Sequence, residues 1–153
     1  TGVQTCALPI CDQVFLATKV ANDEQGFEET LAAIDRSLKR LGTDYVDLYL
    51  VHWPIQAQLE PTWRAMESIL AAGKTRAIGV CNFLPHQLQE LTRIAKVAPA
   101  VDQVEFHPWL QQPYLQMHLV EHDIALEAWA PVMRGRVSEV PDPCQWQSCH
   151  YRK

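Results

Sequence analysis

Residues 45–54 have the sequence YVDLYLVHWP. Apart from one aspartate, residues 45–51 are β-branched, aliphatic or aromatic, which is typical of a buried strand. The run ends at His52, Trp53 and Pro54, and proline cannot donate a hydrogen bond to a strand ladder. His52 is therefore expected where the strand ends and a loop begins. In a parallel α/β barrel this end of a strand carries the chemistry, although the strand taken alone favours an ordinary structural histidine.

Strand and helix patterns alternate on both sides of this segment. Lys19 ends an apolar run upstream, and apolar residues at steps of three and four over 27–41 form one stripe of an amphipathic helix that Gly42 closes. Five strands alternating with four helices require parallel pairing through right-handed crossovers. The predicted strands are 13–19, 45–51, 76–81, 100–106 and 124–129, and the predicted helices are 27–41, 63–70, 85–95 and 113–121.

Two architectures satisfy this alternation: an open doubly wound sheet and part of a (β/α)8 barrel. An open dinucleotide-binding sheet normally carries G-x-G-x-x-G after its first strand, and the sequence has no such motif. Gly73-Lys74-Thr75 is not part of a P-loop, because Ser68 stands where the first glycine belongs and the segment follows a helix. We therefore expect an α/β fold that forms a partial TIM barrel of about five parallel strands.

The composition is that of a globular protein. With 153 residues, 48% hydrophobic and 20% charged, the chain is long enough for one domain with a core and shows no bias towards disorder. A net charge of -5 gives no electrostatic reason to expect nucleic acid or an anionic membrane surface as a partner. No apolar run has the length of a membrane span, and no signal peptide is evident. We expect a cytoplasmic protein.

The two ends differ from the middle. Residues 1–11 (TGVQTCALPIC) have neither periodicity nor charge and resemble a translated sequencing-adapter artefact, so we expect a non-native leader. From about residue 137 the pattern loses its period again, which predicts a non-native or disordered tail over 137–153. Four of the five cysteines lie in these ends, and their spacing is looser than that of a zinc knuckle. We expect no metal there, and the functional interpretation rests on residues 12–136.

Polar and aromatic side chains fall at or near the carboxyl ends of the successive predicted strands. In a barrel these ends converge on one mouth. A lysine is costly to bury unpaired, so Lys19 should have an anionic or phenolic partner. The amides of Asn82 and Gln103 both donate and accept, which suits a carboxamide ligand. Each residue has an ordinary structural explanation, but five strand ends in one register indicate a shared site. The residues are Lys19, His52, Cys81, Asn82, Gln103 and Trp129.

A competing motif lies in the last predicted helix. The sequence from His118 to His122 is HLVEH, which fits the H-x-x-E-H pattern of some zinc proteases. Histidines four residues apart share a helical face and could hold a metal. This helix lies between two strands of the barrel type, however, and its exposed face points away from the mouth. We therefore expect a solvated helix C-terminus, where histidine suits the helix dipole, and no metal site.

Five blocks of the sequence, in this order and at this spacing, resemble the aldo-keto reductase family. The closest likeness is to bacterial members of the diketogluconate reductase type, and it covers roughly residues 13–136. The resemblance implies a (β/α)8 barrel that binds extended NADPH and reduces aldehydes or ketones. The blocks are LATKV (16–20), SLKRLGTDYVDLYLVHWP (37–54), GKTRAIGVCNF (73–83), PAVDQVEFHPWLQQ (99–112) and ALEAWAP (125–131).

The resemblance also implies a catalytic set. The family uses aspartate, tyrosine, lysine and histidine; Lys19 matches the lysine and His52 the histidine. Trp53 would line the substrate pocket beside His52. A free phenol, with a pKa of about 10, is a poor acid at neutral pH, and a nearby ammonium lowers that pKa by favouring the phenolate. Neutral His52 would orient the substrate carbonyl and stabilise developing charge on its oxygen.

The cofactor-binding residues follow from the same resemblance. Asn82 and Gln103 match residues that hold the nicotinamide carboxamide, and Trp129 matches the aromatic position on which the nicotinamide ring stacks. Cys81 stands where the family usually has serine, which weakens one hydrogen bond to the carboxamide. The implied cofactor is NADP(H), and the implied partner is a small carbonyl substrate.

Several departures from the family bear on activity. The family's aspartate and tyrosine precede the Lys19 strand, where this chain has only residues 1–11, and the sequence ends before the eighth strand. Ala130 and Met133 replace the serine and glycine of the usual S-P-L-G turn. We expect the chain as written to be an inactive fragment of a parent that is a monomeric carbonyl reductase. The alternative is a non-catalytic barrel that senses the cofactor.

Overall fold

In the computed structural model, which describes residues 14–136, five strands alternate with four α-helices. Neighbouring strands are all parallel, and their order in the sheet follows the chain. This arrangement confirms the predicted partial α/β barrel. The strands are β1 (Ala17–Val20), β2 (Val46–Val51), β3 (Thr75–Cys81), β4 (Val101–Glu105) and β5 (Ala125–Trp129). The α-helices are α1 (Phe27–Leu41), α2 (Leu59–Ala71), α3 (Pro85–Ile94) and α4 (Pro113–Glu121), with short 3-10 turns at Asn22–Glu24, Gln56–Gln58 and Met133–Gly135.

Strand β2 is buried along its whole length. Tyr49 and Val51 belong to the large core on one face of the sheet, where the helices pack. Leu48 and Leu50 point to the opposite face and form a smaller apolar cluster with Cys81. A parallel strand covered on both faces requires apolar residues at successive positions rather than at alternate ones. This burial explains the nearly continuous apolar run of residues 45–51.

The first strand is shorter than predicted. β1 begins at Ala17, opposite Leu48 of β2, whereas Val14 and Phe15 lie outside the strand and are exposed. The backbone N–H of Leu16 donates to Oδ2 of Asp47 at 2.8 Å. Because this carboxylate replaces a backbone acceptor, the regular ladder does not extend further towards the N-terminus. Gln13, the first residue of the predicted strand, lies outside the described residues.

Helix α1 ends as its sequence predicts. Gly42 has a φ of 70°, a left-handed conformation, and its N–H donates to the carbonyl of Leu38 at 2.9 Å. Glycine adopts this conformation without a steric penalty, which is why it commonly follows the last helical residue. The apolar stripe contributes Ile34 and Leu38 to the buried face.

Helix α4 differs from its prediction at one residue. Glu121 and His122 are exposed, as expected of a solvated helix end, but His118 is only 8% exposed. Leu115, His118 and Leu119 form the buried face of the helix. They are spaced by three and four residues, so the apolar stripe that packs against the protein carries His118 with it. The prediction of a solvated histidine is therefore wrong for His118.

Gly79 lies in β3 where the next strand approaches closely. A Cβ atom at this position would lie 2.6 Å from the carbonyl oxygen of Val101 and 2.7 Å from Cδ2 of Leu50. We predict that Gly79→Ala lowers the free energy of unfolding by about 1–3 kcal/mol, because β4 must shift to relieve the overlap. Urea denaturation followed by circular dichroism measures this change.

Gly73→Ala is the matched control. Gly73 has a φ of 73°, but a Cβ atom there would meet nothing within 4 Å. Its substitution should cost only the free energy of holding an alanine in a left-handed conformation, about 1 kcal/mol. Equal or greater destabilisation by Gly73→Ala would contradict the close approach at Gly79.

Within residues 14–136, β1 and β5 each have a single strand neighbour. None of the helices in that range combines the length and the apolar composition needed to cross a bilayer.

Candidate active site

A cavity of about 300 Å³ opens at the carboxyl ends of the strands. It brings together all the site residues that the sequence predicts. In a barrel of parallel strands this end is where ligands bind. The lining residues are Lys19, His52, Trp53, Cys81, Asn82, Gln103 and Trp129.

Lys19 and His52 come from neighbouring parallel strands. Lys19 lies opposite Leu50 in the ladder, and the N–H of His52 donates to the carbonyl of Val20 at 3.3 Å. Side chains two residues apart share a face of a strand, so Leu50 and His52 point to the same side as Lys19. The lysine is exposed, and no described residue forms an ion pair with it. The expected anionic or phenolic partner is thus not among residues 14–136, and exposure removes the desolvation cost on which that expectation rested.

Asn82 connects three strand ends. Its Nδ2 donates to the carbonyl of His52 at 3.0 Å, and its Oδ1 accepts the indole N–H of Trp129 at 3.0 Å. Because an indole N–H can only donate, the amide oxygen must face Trp129, which fixes the orientation of the amide. Asn82 has a φ of 62°, a left-handed conformation that asparagine tolerates better than most residues. One Nδ2 hydrogen and one Oδ1 lone pair are left for a ligand.

Gln103 lies on the floor of the cavity between Cys81 and Glu127. Its Nε2 donates to Oε1 of Glu127 at 2.8 Å, and the thiol of Cys81 donates to its Oε1 at 3.9 Å. Burial raises the pKa of Cys81 to about 12, so at neutral pH this residue is a thiol that donates weakly. The two contacts fix the orientation of the Gln103 amide.

Glu127 is a neighbour of the cavity that sequence reasoning missed. It pairs with Gln103 across β4 and β5 and is exposed. The available signal was the two-residue period of the strand, because Glu127 precedes Trp129 by two residues and therefore shares its face. Its contact with Gln103 depends on the register of β4 and β5, which the sequence alone does not specify.

A second cavity, of about 260 Å³, shares Trp129 with the first and lies along the loop after β5. Ala130, Met133 and Arg134 in this loop have φ values of 53°, 53° and 55°. Left-handed backbone disfavours residues with a side chain, yet the turn is closed by the N–H of Met133, which donates to the carbonyl of Ala130 at 2.8 Å. The loop thus keeps a glycine-type turn without glycine at these positions.

Asp102 lies behind the site, on the helix-facing side of β4. It is fully buried, its Oδ1 accepts the N–H of Phe83 at 3.4 Å, and its Oδ2 has no hydrogen-bond partner. Burial raises the pKa of Asp102 to about 7, and the bond from Phe83 opposes this only in part. The loop that carries Asn82 is thus hydrogen-bonded, through Phe83, to a carboxyl group that ionises near neutral pH.

Comparisons with known proteins agree with this geometry. A sequence profile described as the Aldo/keto reductase family matches residues 9–143. Glyoxal reductase of Bacillus subtilis (strain 168) is 49% identical over 126 residues, which are 82% of this chain and 46% of that protein. The chain spans about half the length of the curated relatives it matches.

Solved structures lead to the same family. A crystal structure of an aldo/keto reductase from Brucella melitensis aligns with a TM-score of 0.78 at 46% identity, covering 80% of this chain and 49% of that one. The Bombyx mori aldo-keto reductase, crystallised in complex with NADP, aligns with a TM-score of 0.74 at 33% identity, covering 78% of this chain and 42% of that one. The profile match extends over most of the sequence, and both crystal structures align with more than three quarters of this chain. The chain belongs to the aldo/keto reductase family.

Proposed function

We propose that residues 14–136 carry the cofactor- and carbonyl-facing part of an NADPH-dependent reductase of aldehydes or ketones. The observation that supports this most directly is the single cavity lined by Lys19, His52, Asn82, Gln103 and Trp129. The two amides and the indole face suit a planar nicotinamide ring with its carboxamide. The cation at the same end of the sheet suits a polarised carbonyl. The NADP-bound relative from Bombyx mori adds support for the cofactor.

The residues present fit a nicotinamide. Asn82 and Gln103 each retain hydrogen-bonding capacity beyond their contacts within the protein, and those contacts hold both amides in one orientation. Trp129 is held by its N–H bond to Asn82 and offers a ring face for stacking. When bound, the nicotinamide would supply a hydride. The protein's task is to position the ring and the substrate.

His52 and Trp53 would receive the carbonyl substrate. Both side chains are exposed at the mouth, with ring centroids 6.4 Å apart. His52 would donate a hydrogen bond to the carbonyl oxygen, orienting it and stabilising the negative charge that develops there. Lys19 would act on the proton donor, since an ammonium lowers the pKa of a nearby phenol.

Among residues 14–136, those that line this cavity include no tyrosine that could donate the proton. We therefore infer that the polypeptide of 153 residues does not turn over carbonyls by itself. A chimera tests both inferences: the aligned 126 residues of this chain replace their counterparts in Bacillus subtilis glyoxal reductase, which supplies the remainder of the barrel. We expect the chimera to oxidise NADPH in the presence of glyoxal.

The chain alone and the unmodified glyoxal reductase are the two controls. We expect no glyoxal-dependent loss of NADPH absorbance with the chain alone. A folded chimera that binds NADPH but does not turn over would contradict the proposed reductase function. Turnover by the isolated chain would contradict the inferred inactivity.

A further inference from the structure

We propose that His118, Glu121 and His122 form a binding site for a divalent transition-metal ion, with zinc as the preferred ion, at the C-terminal end of α4. One potential ligand atom from each residue lies within 4.8 Å of the other two. A tetrahedral zinc ion with bonds of about 2.0–2.1 Å requires ligand atoms about 3.3 Å apart. Glu121 and His122 are exposed, so side-chain rotation can close the remaining distance. This site lies on a helix outside the proposed active site and does not depend on it.

The tautomer of His122 is suited to metal binding. Its Nδ1 lies 2.8 Å from the carbonyl oxygen of His118. A carbonyl can only accept, so Nδ1 carries the hydrogen and Nε2 keeps its lone pair. Histidines that bind metals commonly donate their second ring nitrogen to a carbonyl or carboxylate in this way.

This hydrogen bond alone is consistent with a helix cap, but His118 has no such explanation. His118 is 8% exposed, and its Nε2 is buried without a hydrogen-bond partner among the described residues. Its ring centroid lies 4.1 Å from that of His122. An unpartnered imidazole nitrogen in a buried position is costly, and a metal ion that it ligates would satisfy it.

The chemistry of the three side chains indicates which ion they would hold. Two imidazoles and one carboxylate suit zinc better than calcium or magnesium, which prefer oxygen ligands. With three protein ligands, the fourth position would be occupied by water.

The test is a zinc titration of the untagged chain in competition with a chromogenic chelator. We expect the wild-type chain to bind one more equivalent of zinc than His122→Ala. Glu121→Gln should lower the affinity for this additional zinc ion about tenfold or more. Even residues that only orient a metal ligand contribute roughly 10–100-fold to metal affinity. His86→Ala, at an exposed histidine of α3, is the matched control and should bind as the wild type does.

Cysteines near the two ends could also bind zinc, and the design separates them from this site. Any zinc bound by these cysteines is the same in every variant. When cobalt(II) replaces zinc, cysteine ligands are recognised by their thiolate absorption in the near ultraviolet. The ¹⁵N signals of histidine supply a second readout: zinc should move Nε2 of His122 while Nδ1 stays protonated. Equal zinc stoichiometry in wild type and His122→Ala, or an unchanged Nε2 signal at saturating zinc, would overturn the proposal.

Discussion

Replacing Lys19 with methionine in the glyoxal reductase chimera is expected to lower kcat by about 10²–10⁴-fold, the range that a positioned acid or base contributes. Lys19 shares the cavity with His52 and is exposed towards it. In the proposed mechanism, removing the ammonium lets the pKa of the proton-donating phenol return towards its usual value of about 10. Initial rates at saturating glyoxal and NADPH, measured across pH, report both the loss in kcat and the shift of the pH profile.

Lys74→Met is the matched control for this substitution. Lys74, directly before β3, forms an exposed ion pair with Asp35 of α1 and does not line the cavity. Its loss should change stability slightly and leave kcat unchanged, because exposed ion pairs contribute little. A Lys19→Met chimera with a wild-type kcat and pH profile would remove this lysine from the mechanism.

Asp102→Asn is expected to remove about 2–3 kcal/mol of pH dependence from the free energy of unfolding between pH 5 and pH 8. Burial raises the pKa of Asp102 from 3.8 to about 7 in the folded protein. Between these two values the folded state binds more protons than the unfolded chain. Stability from this group is therefore greatest below about pH 4, and it is lost as the pH rises towards 7. Asparagine does not titrate and cannot show this loss.

Urea unfolding at several pH values, followed by circular dichroism, measures the difference. Asp23→Asn removes one negative charge from an exposed residue and serves as the control, which should retain the pH dependence of the wild type. The new amide of Asp102→Asn leaves a buried N–H unpaired, which lowers the free energy of unfolding by a similar amount at every pH. The variants are therefore compared by how steeply the free energy of unfolding changes with pH. Parallel pH profiles for the wild type and Asp102→Asn would show that Asp102 does not ionise near neutrality.

Most of the fold could be predicted from the chain because its local signals agree with one another. The apolar run of residues 45–51, the amphipathic stripe of α1 and the cap at Gly42 each specify one element and its end. Alternating strands and helices then require parallel order, which places Lys19 and His52 on adjacent strands. The common cavity of the predicted residues follows from that order.

Other features depend on register and packing, which local patterns do not specify. The hydrogen bond from the indole N–H of Trp129 to Asn82 joins residues 47 positions apart, and the contact between Gln103 and Glu127 requires the pairing of β4 with β5. Burial of Asp102 and His118 depends on which face of β4 and of α4 packs against the protein. The sequence places polar residues there, and polarity alone predicts exposure.

The indole N–H signals of the isolated chain test the central claim most directly, that the strand ends form one nicotinamide-binding cavity. Trp53 and Trp129 line this cavity, whereas Trp63 is buried and donates its indole N–H to the carbonyl of Val97 at 3.1 Å. In a ¹⁵N-resolved titration with NADP⁺, we expect the signals of Trp53 and Trp129 to shift with a common saturation curve. The Trp63 signal should keep its position and report an intact core. If the chain is saturated with NADP⁺ and the Trp129 signal does not move, the strand ends do not form a nicotinamide-binding cavity.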